Sequence, residues 1–206
     1  MTEKERMLSG RLYIADDPEL AGEMARARAL VRRINDSPEY PPQARQELLR
    51  QLLGSLGKNF TVNSPFRCDY GSHIHIGDNF FANYDCIIID VCDVNIGDNV
   101  FLAPRVCIFT AAHPIDPEVR ASQLEFGKPV SIGSNVWIGG GAIINPGVSI
   151  GDNVVIGSGS VVTKDIPSGV VAAGNPCRVL RQIDSRDREY WQALAEEYRR
   201  SKAEDV

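Results

Sequence analysis

The chain has 206 residues, of which 43% are hydrophobic and 24% charged, and a net charge of −5. This is the balance of one principal soluble domain with short appendages, and no Arg/Lys stripe with interleaved aromatics points to nucleic acid. No apolar run approaches the roughly 20 residues that span a bilayer, and the opening MTEKERMLSG lacks the apolar centre of a signal peptide, so a cytoplasmic location is expected.

Residues 1–57 are expected to form a helical cap. Met7, Leu8, Leu12 and Tyr13 predict a short helix that ends near Gly10 or in the Ala15–Pro18 segment. Asp17, Pro18 and Glu19 read as the N-cap, first-turn proline and first-turn acid of a second helix. Its apolar stripe is Leu20, Met24, Ala27, Leu30, Val31 and Ile34. Arg26, Arg28, Arg32 and Arg33 fall mostly off that stripe and read as a solvated face, although such a cluster could steer an anionic ligand. After a proline-rich break, Leu48, Leu49, Leu52, Leu53 and Leu56 predict a third helix, stopped by Gly54 and Gly57.

Residues 58–183 carry a different period. Ile132, Ile138, Ile144, Ile150, Ile156 and Val162 recur in steps of six, and Val136, Ala142, Val148, Val154 and Ser160 follow four places after the first five of them. A period of six fits neither a helix nor a single strand; it fits a solenoid whose triangular coils take one hexad per side. Gly-Asp-Asn and Gly-Ser-Asn triplets mark the corners, where Gly and Asn tolerate positive φ. Ile96, Leu102 and Ile108 share the frame, and Ile76, Ala82 and Ile88 keep the step with two residues inserted near Asp90–Asp93. The regular coils are expected from about residue 74 to 166, with residues 58–75 as a lead-in.

Ile108 and Ile132 are a multiple of six apart, so residues 109–131 can leave the stack as a loop without disturbing it. Long loops in regular repeats are uncommon and often functional. This one carries His113, stiffened by Pro114 and Pro117, and an imidazole there can take a proton from an attacking hydroxyl. Beyond the solenoid, Trp191, Leu194, Ala195 and Tyr198 predict a C-terminal amphipathic helix within residues 184–206, disordered from Ser201 onward.

The odd set of Cys68, Cys86, Cys92, Cys107 and Cys177 has no CxxC spacing and reads as packing residues; Cys86 and Cys92, six apart, would take equivalent places on adjacent sides. His73, His75 and His113 lack the His-x4-His pair of zinc anhydrases built on such solenoids, so no metal is expected. An acyltransferase and a non-enzymatic solenoid subunit both remain open on the residues alone.

The hexads, Thr110–Pro114 and Gly174-Asn175-Pro176 resemble the hexapeptide-repeat acyltransferases, whose fold is an all-β, left-handed parallel β-helix. More narrowly, the opening Glu3–Gly10 with Leu12-Tyr13, Asn79–Asn83, Asp90-Val91-Cys92, His113–Pro117, Asn145–Val148 and Val162–Asp165 resemble the maltose, galactoside and nodulation-factor O-acetyltransferases, the maltose branch most closely. The resemblance implies acetyl transfer from acetyl-CoA to a hydroxyl of a maltose- or glucose-like sugar, with His113 as general base and no acyl-enzyme. It implies acceptor contacts at Asp16, Asp69, Asn83, Asp90 and Glu125, Asn83 also orienting the histidine. It implies coenzyme contacts at Gly140 (an oxyanion donor where relatives often carry serine), Ser158, Thr163, Lys164, Arg178 and Arg181. Phe81 stands where galactoside relatives carry tyrosine. A homotrimer with its sites between subunits is implied too, and serine or xenobiotic acceptors are the enzymatic alternative.

Overall fold

The computed structural model describes residues 1–38 and 40–204. Its centre is a three-sided parallel β-helix whose sides are sheets of five, five and seven strands. On the first side Leu56, Ile76, Ile96, Ile132 and Ile150 stack in register. The second stacks Val62, Ala82, Leu102, Ile138, Ile156 and Ala172. The third stacks Cys68, Ile88, Ile108, Ile144 and Val162. All but the half-buried Leu56 are buried, so one aliphatic column fills the prism along each side. The six-residue step is thus the length of one side plus one corner.

The corner between the first and second sides is held by side chains as well as backbone. Asn59, Asn79, Asn99, Asn135 and Asn153 all adopt positive φ, between 54° and 58°. Each hands its amide to the next, at 2.8–3.2 Å. Asn tolerates this backbone because its short amide bonds locally. The neighbouring Asp78, Asp98 and Asp152 accept backbone N–H groups from the coil before, at 2.7 Å each.

The stack starts earlier than expected. Ser55–Leu56 already pairs with His75–Ile76, so Leu56 is the first rung of the prism, and the third helix stops before it. The steps from Cys68 to Ile76 and from Ile88 to Ile96 are both eight, and each extra pair lies at the corner between the third and first sides. The long loop leaves from that same corner. Cys92 falls in one of these insertions and leaves the frame that Cys86 keeps: its thiol donates to the Met7 carbonyl outside the prism.

Helix α1 (Glu3–Leu8) opens with a Thr2/Glu5 capping box. Helix α2 (Pro18–Asp36) is capped by Asp17, which accepts from the N–H groups of Glu19 and Leu20 at 3.0 and 3.2 Å. Ala27, Leu30, Val31 and Ile34 of α2, with Leu48, Leu49 and Leu52 of α3 (Gln43–Leu52), join the prism core and close its open end. Asn35 fixes α2 to the first coil through two 2.9 Å bonds to the Phe66 backbone. Tyr13 is not helical. Tyr13–Ile14 is a strand, antiparallel to Leu124–Glu125 of the long loop.

The loop itself is ordered structure: strand Ala111–Ala112, helix α4 (Pro117–Ala121) and strand Leu124–Gly127. The chain leaves the prism through Val170–Ala173 and an antiparallel return over Arg178–Gln182, then enters α5 (Ser185–Glu204). Ser201 therefore continues the helix rather than a disordered tip, and Asp205 and Val206 lie outside the described residues. Among the described residues no helix is long and apolar enough to cross a membrane.

Candidate active site

The loop is an arm bolted to the N-terminal segment. Ala111–Ala112 pairs with Phe126–Gly127, and Leu124–Glu125 pairs in turn with Tyr13–Ile14. A second core of Met7, Tyr13, Leu20, Tyr70, Val91 and Cys92 lies nearby, with Ala111 of the arm packed on it. At Gly127 a Cβ would meet the Cys92 sulfur at 2.5 Å and Val91 at 2.8 Å, so only glycine lets the arm sit this low. Buried Thr110 pins the root of the arm, its hydroxyl donating to the Ile89 carbonyl at 2.8 Å and accepting from the Cys92 N–H at 3.0 Å.

His113 follows directly from this pinned strand. It is exposed and forms no hydrogen bond within the described chain. The turn after it is held from behind: Arg120 donates to the carbonyls of both Pro114 and Ile115 at 2.9 Å. In the sequence Thr110 stands only as the first residue of the Thr110–Pro114 motif, with no role assigned, and Arg120 was not singled out. A threonine at the loop's root and an arginine one turn into α4 carry no signal until the fold shows what they grip.

Beside the arm lies a cluster of acids and phenols. Buried Tyr13 donates its hydroxyl to Glu125 at 3.1 Å. Asp69 is half-buried, and desolvation raises its pKa against the opposing pull of Arg28. Asp90, expected among the acceptor contacts, is 0% exposed and faces no open space. One of its oxygens accepts from the backbone N–H groups of Asp69 and Tyr70, at 3.0 and 2.9 Å. Its backbone carbonyl lies 2.6 Å from His73 Nδ1. Its second oxygen and the Tyr70 hydroxyl have no partner. Burial pushes the Asp90 carboxyl up to about 6, while the two N–H groups and His73 pull the other way. Asp90 thus sets the backbone that carries Asp69 and does not itself reach outward.

The other expected residues divide between places. Asn83, Gly140 and Ser158 stand at the corner between the second and third sides, across the third side from the arm. There the Gly141 N–H donates to the Pro104 carbonyl and the Gly159 N–H to the Gly140 carbonyl, both at 2.9 Å, whereas the Gly140 N–H donates to nothing within the described chain. Asn83 accepts from the Tyr84 N–H at 2.8 Å. Thr163 and Lys164 are exposed at the arm's own corner, further along the stack. Arg178 is exposed and donates to the Cys177 carbonyl; Arg181 is held by Asp187 at 2.6 and 2.8 Å. Asp16 is exposed in a hollow that it shares with Arg28 and Arg32. A single chain therefore gathers Asp69, Glu125 and the His113 arm on one edge of the third side, and keeps Asn83, Gly140 and Ser158 on the other.

Burial pushes the Cys86 and Cys92 thiols up to about 11 and raises the other cysteines, which leaves them protonated and inert. Among the described residues no three His, Cys, Asp or Glu groups converge on a point that could hold a metal.

Residues 6–57 match the maltose acetyltransferase hexapeptide capping motif, and residues 129–164 match six repeats of the bacterial transferase hexapeptide. The crystal structure of a maltose O-acetyltransferase from Clostridium difficile 630 superposes with a TM-score of 0.89 at 59% identity, over 89% of this chain and 98% of that one. The chain belongs to the hexapeptide-repeat sugar O-acetyltransferase family. Two further relatives agree. Nodulation protein L of Rhizobium meliloti is 49% identical over 86% of this chain and 97% of its own. A galactoside acetyltransferase in complex with coenzyme A superposes with a TM-score of 0.89 at 44% identity, over 91% of this chain and 94% of that one. In this acetyltransferase the capping segment does more than close the prism: through Tyr13–Ile14 it supplies the strand against which the His113 arm is built.

Proposed function

We propose that this acetyltransferase moves the acetyl group of acetyl-CoA to a hydroxyl of a maltose- or glucose-like sugar, with His113 as general base. The observation that carries the reading is the state of His113: exposed, unpartnered and held on a doubly anchored arm. An imidazole nitrogen with no other partner suits deprotonation of an attacking hydroxyl. The sugar oxygen bonds to the thioester carbon as its proton passes to His113; the C–S bond then breaks, and the proton goes to the departing CoA sulfur. No acyl-enzyme is needed, since the thioester is already activated. The uncommitted N–H of Gly140 suits the oxyanion. Ser158, Thr163, Lys164 and Arg178 are exposed and available to the coenzyme, whose adenosine phosphate Arg178 would meet. Arg181 would have to give up Asp187 to join it.

The division of the site across the third side supports a homotrimer in which the arm of one chain faces the Asn83–Gly140–Ser158 corner of the next. The outer surfaces point the same way. Phe81, Phe101, Trp137, Val155 and Val171 line the outside of the second side; on the third, Arg67 and Ile87 border the hollow under the cap and the row beyond them is Cys107, Ile143 and Val161. The first shows Ser55, His75, Asn95, Ser131 and Ser149. Parallel sheets are ordinarily covered on both faces, so the two apolar sides call for a partner. The cytoplasm is the proposed location.

The test is thiol release from acetyl-CoA with maltose, glucose, a β-galactoside, serine or no acceptor, beside His113→Ala. Release with maltose or glucose that falls roughly 10²–10⁴-fold in the variant, at unchanged melting temperature, is the expected result. Release with serine alone would move the enzyme to another acceptor class. Full activity in the variant would remove His113 from the reaction.

A further inference from the structure

Helix α2 presents its arginines in two directions. Arg26 and Arg33 border the α3 side, where Arg26 reaches the Gln51 carbonyl at 3.4 Å. Arg28 and Arg32, one turn apart, border two adjoining hollows on the other side. One, of about 560 Å³, holds Asp16; the other, of about 530 Å³, is closed by Arg67, Asp69, Ile87 and Ile89 of the coils. The side chains of Arg28, Arg32 and Arg67 form no hydrogen bond or close ion pair within the described chain. Other arginines are engaged (Arg45 with Ser37, Arg120 with two carbonyls, Arg181 and Arg186 with aspartates), and Arg33 is as free as these three; what sets Arg28, Arg32 and Arg67 apart is that they share one hollow. In a chain of net charge −5, three uncommitted guanidinium groups thus border one cleft, opposed there only by Asp36 and Asp69.

The cleft is preformed, because the two bonds from Asn35 to the Phe66 backbone hold α2 at a fixed distance from the first coil. It adjoins the candidate active site through Asp69, which lines the cleft and stands at the same corner of the coils as the root of the His113 arm. Ile87 and Ile89 offer an apolar wall of the kind that the C–H face of a sugar ring covers.

We propose that this cleft is an anion subsite of the acceptor site. Arg28, Arg32 and Arg67 take a carboxylate or phosphate substituent on the saccharide, whose next ring lies over Ile87 and Ile89 toward Asp69 and the His113 arm. The preferred acceptor is then an acidic saccharide. Guanidinium groups suit the role because their planar fork meets such oxyanions two bonds at a time. The proposal rests on the acetyl-transfer reading, and its test separates the two.

Maltose, maltose 1-phosphate and maltobionate are compared by calorimetric binding and by thiol release, in the wild type, in Arg32→Ala/Arg67→Ala and in Arg33→Ala. The wild type is expected to bind and use the charged acceptors about tenfold better than maltose, a size that fits charge-assisted bonds partly screened by solvent. The advantage should shrink in high salt, fall towards unity in Arg32→Ala/Arg67→Ala and persist in Arg33→Ala. Equal binding of charged and neutral acceptors by the wild type, or an advantage that survives the double substitution, overturns the subsite while leaving acetyl transfer to maltose intact. Preferential binding without any acetyl transfer keeps the subsite and removes the acetyl-transfer reading instead.

Discussion

The carboxylate of Asp90 orders the corner that carries Asp69, yet it is buried with one oxygen unpaired. Because burial lifts its pKa from 3.8 to about 6, the folded chain binds more protons than the unfolded chain between those values. Stability contributed by this group is therefore lost as pH rises through that window, and the full cost stands above about pH 6. His73, Asp69 and Tyr70 face the same carboxylate and belong to the same titration. Asp90→Asn keeps an oxygen for the two N–H groups and removes the charge. Its unfolding free energy in urea should gain on that of the wild type between pH 4 and pH 7, by on the order of 1–3 kcal/mol. A difference that stays flat across that range would show that Asp90 ionises without cost.

At the scale of elements, the asparagine ladder and the arm make separate demands. Asn99 donates to Asn135 and accepts from Asn79, both at 2.8 Å, and holds φ 56°. Asn99→Ala removes both bonds and places a Cβ-bearing residue without local bonding in the left-handed region. A loss of roughly 2–3 kcal/mol in urea unfolding is expected, with Asn99→Gly recovering part of it. Equal losses for the two variants would mean that the backbone there is not strained. The arm depends on glycine for closeness rather than for φ. Gly127→Ala must lift the strand off Cys92 and Val91 and carry the His113 segment with it. Turnover should fall roughly 10–100-fold through misplacement of the base, while the prism's circular dichroism is unchanged. Normal turnover would mean that the arm adjusts without moving His113.

At the scale of the molecule, the proposed trimer puts His113 and Asn83 of one site on different chains. His113→Ala and Asn83→Ala, each weak alone, should then complement when co-expressed. About one quarter of the sites in randomly mixed trimers would carry both native residues, and activity should return towards that fraction. Mixtures no better than the separate variants, with subunit exchange verified by mass, would place each site within a single chain.

The six-residue step, the corner triplets and the cap were legible in the sequence because they are local. An aliphatic residue every sixth position can be buried in only one way once the coil is three-sided, and asparagine at each corner carries its own conformational permission. His113 was legible for a related reason, since the frame resumes at Ile132 and so marks everything between as expelled. The start of the stack was misread because Leu56 fits the apolar spacing of α3 as well as the frame of the prism, and the pairing of Ser55–Leu56 with His75–Ile76 decides between them. Tyr13 was misread as helical because its strand partner, Glu125, lies far along the chain. The burial of Asp90, the grip of Thr110 and the gathering of Arg28, Arg32 and Arg67 around one cleft likewise join residues from different coils and helices, while the grip of Arg120 on Pro114 and Ile115 is local but follows from the turn the loop adopts. Periodicity in the sequence determined what stacks. Only the tertiary structure decided which side chains meet at the edges of that stack, because those contacts depend on how far each insertion swings out and on what the cap brings against it.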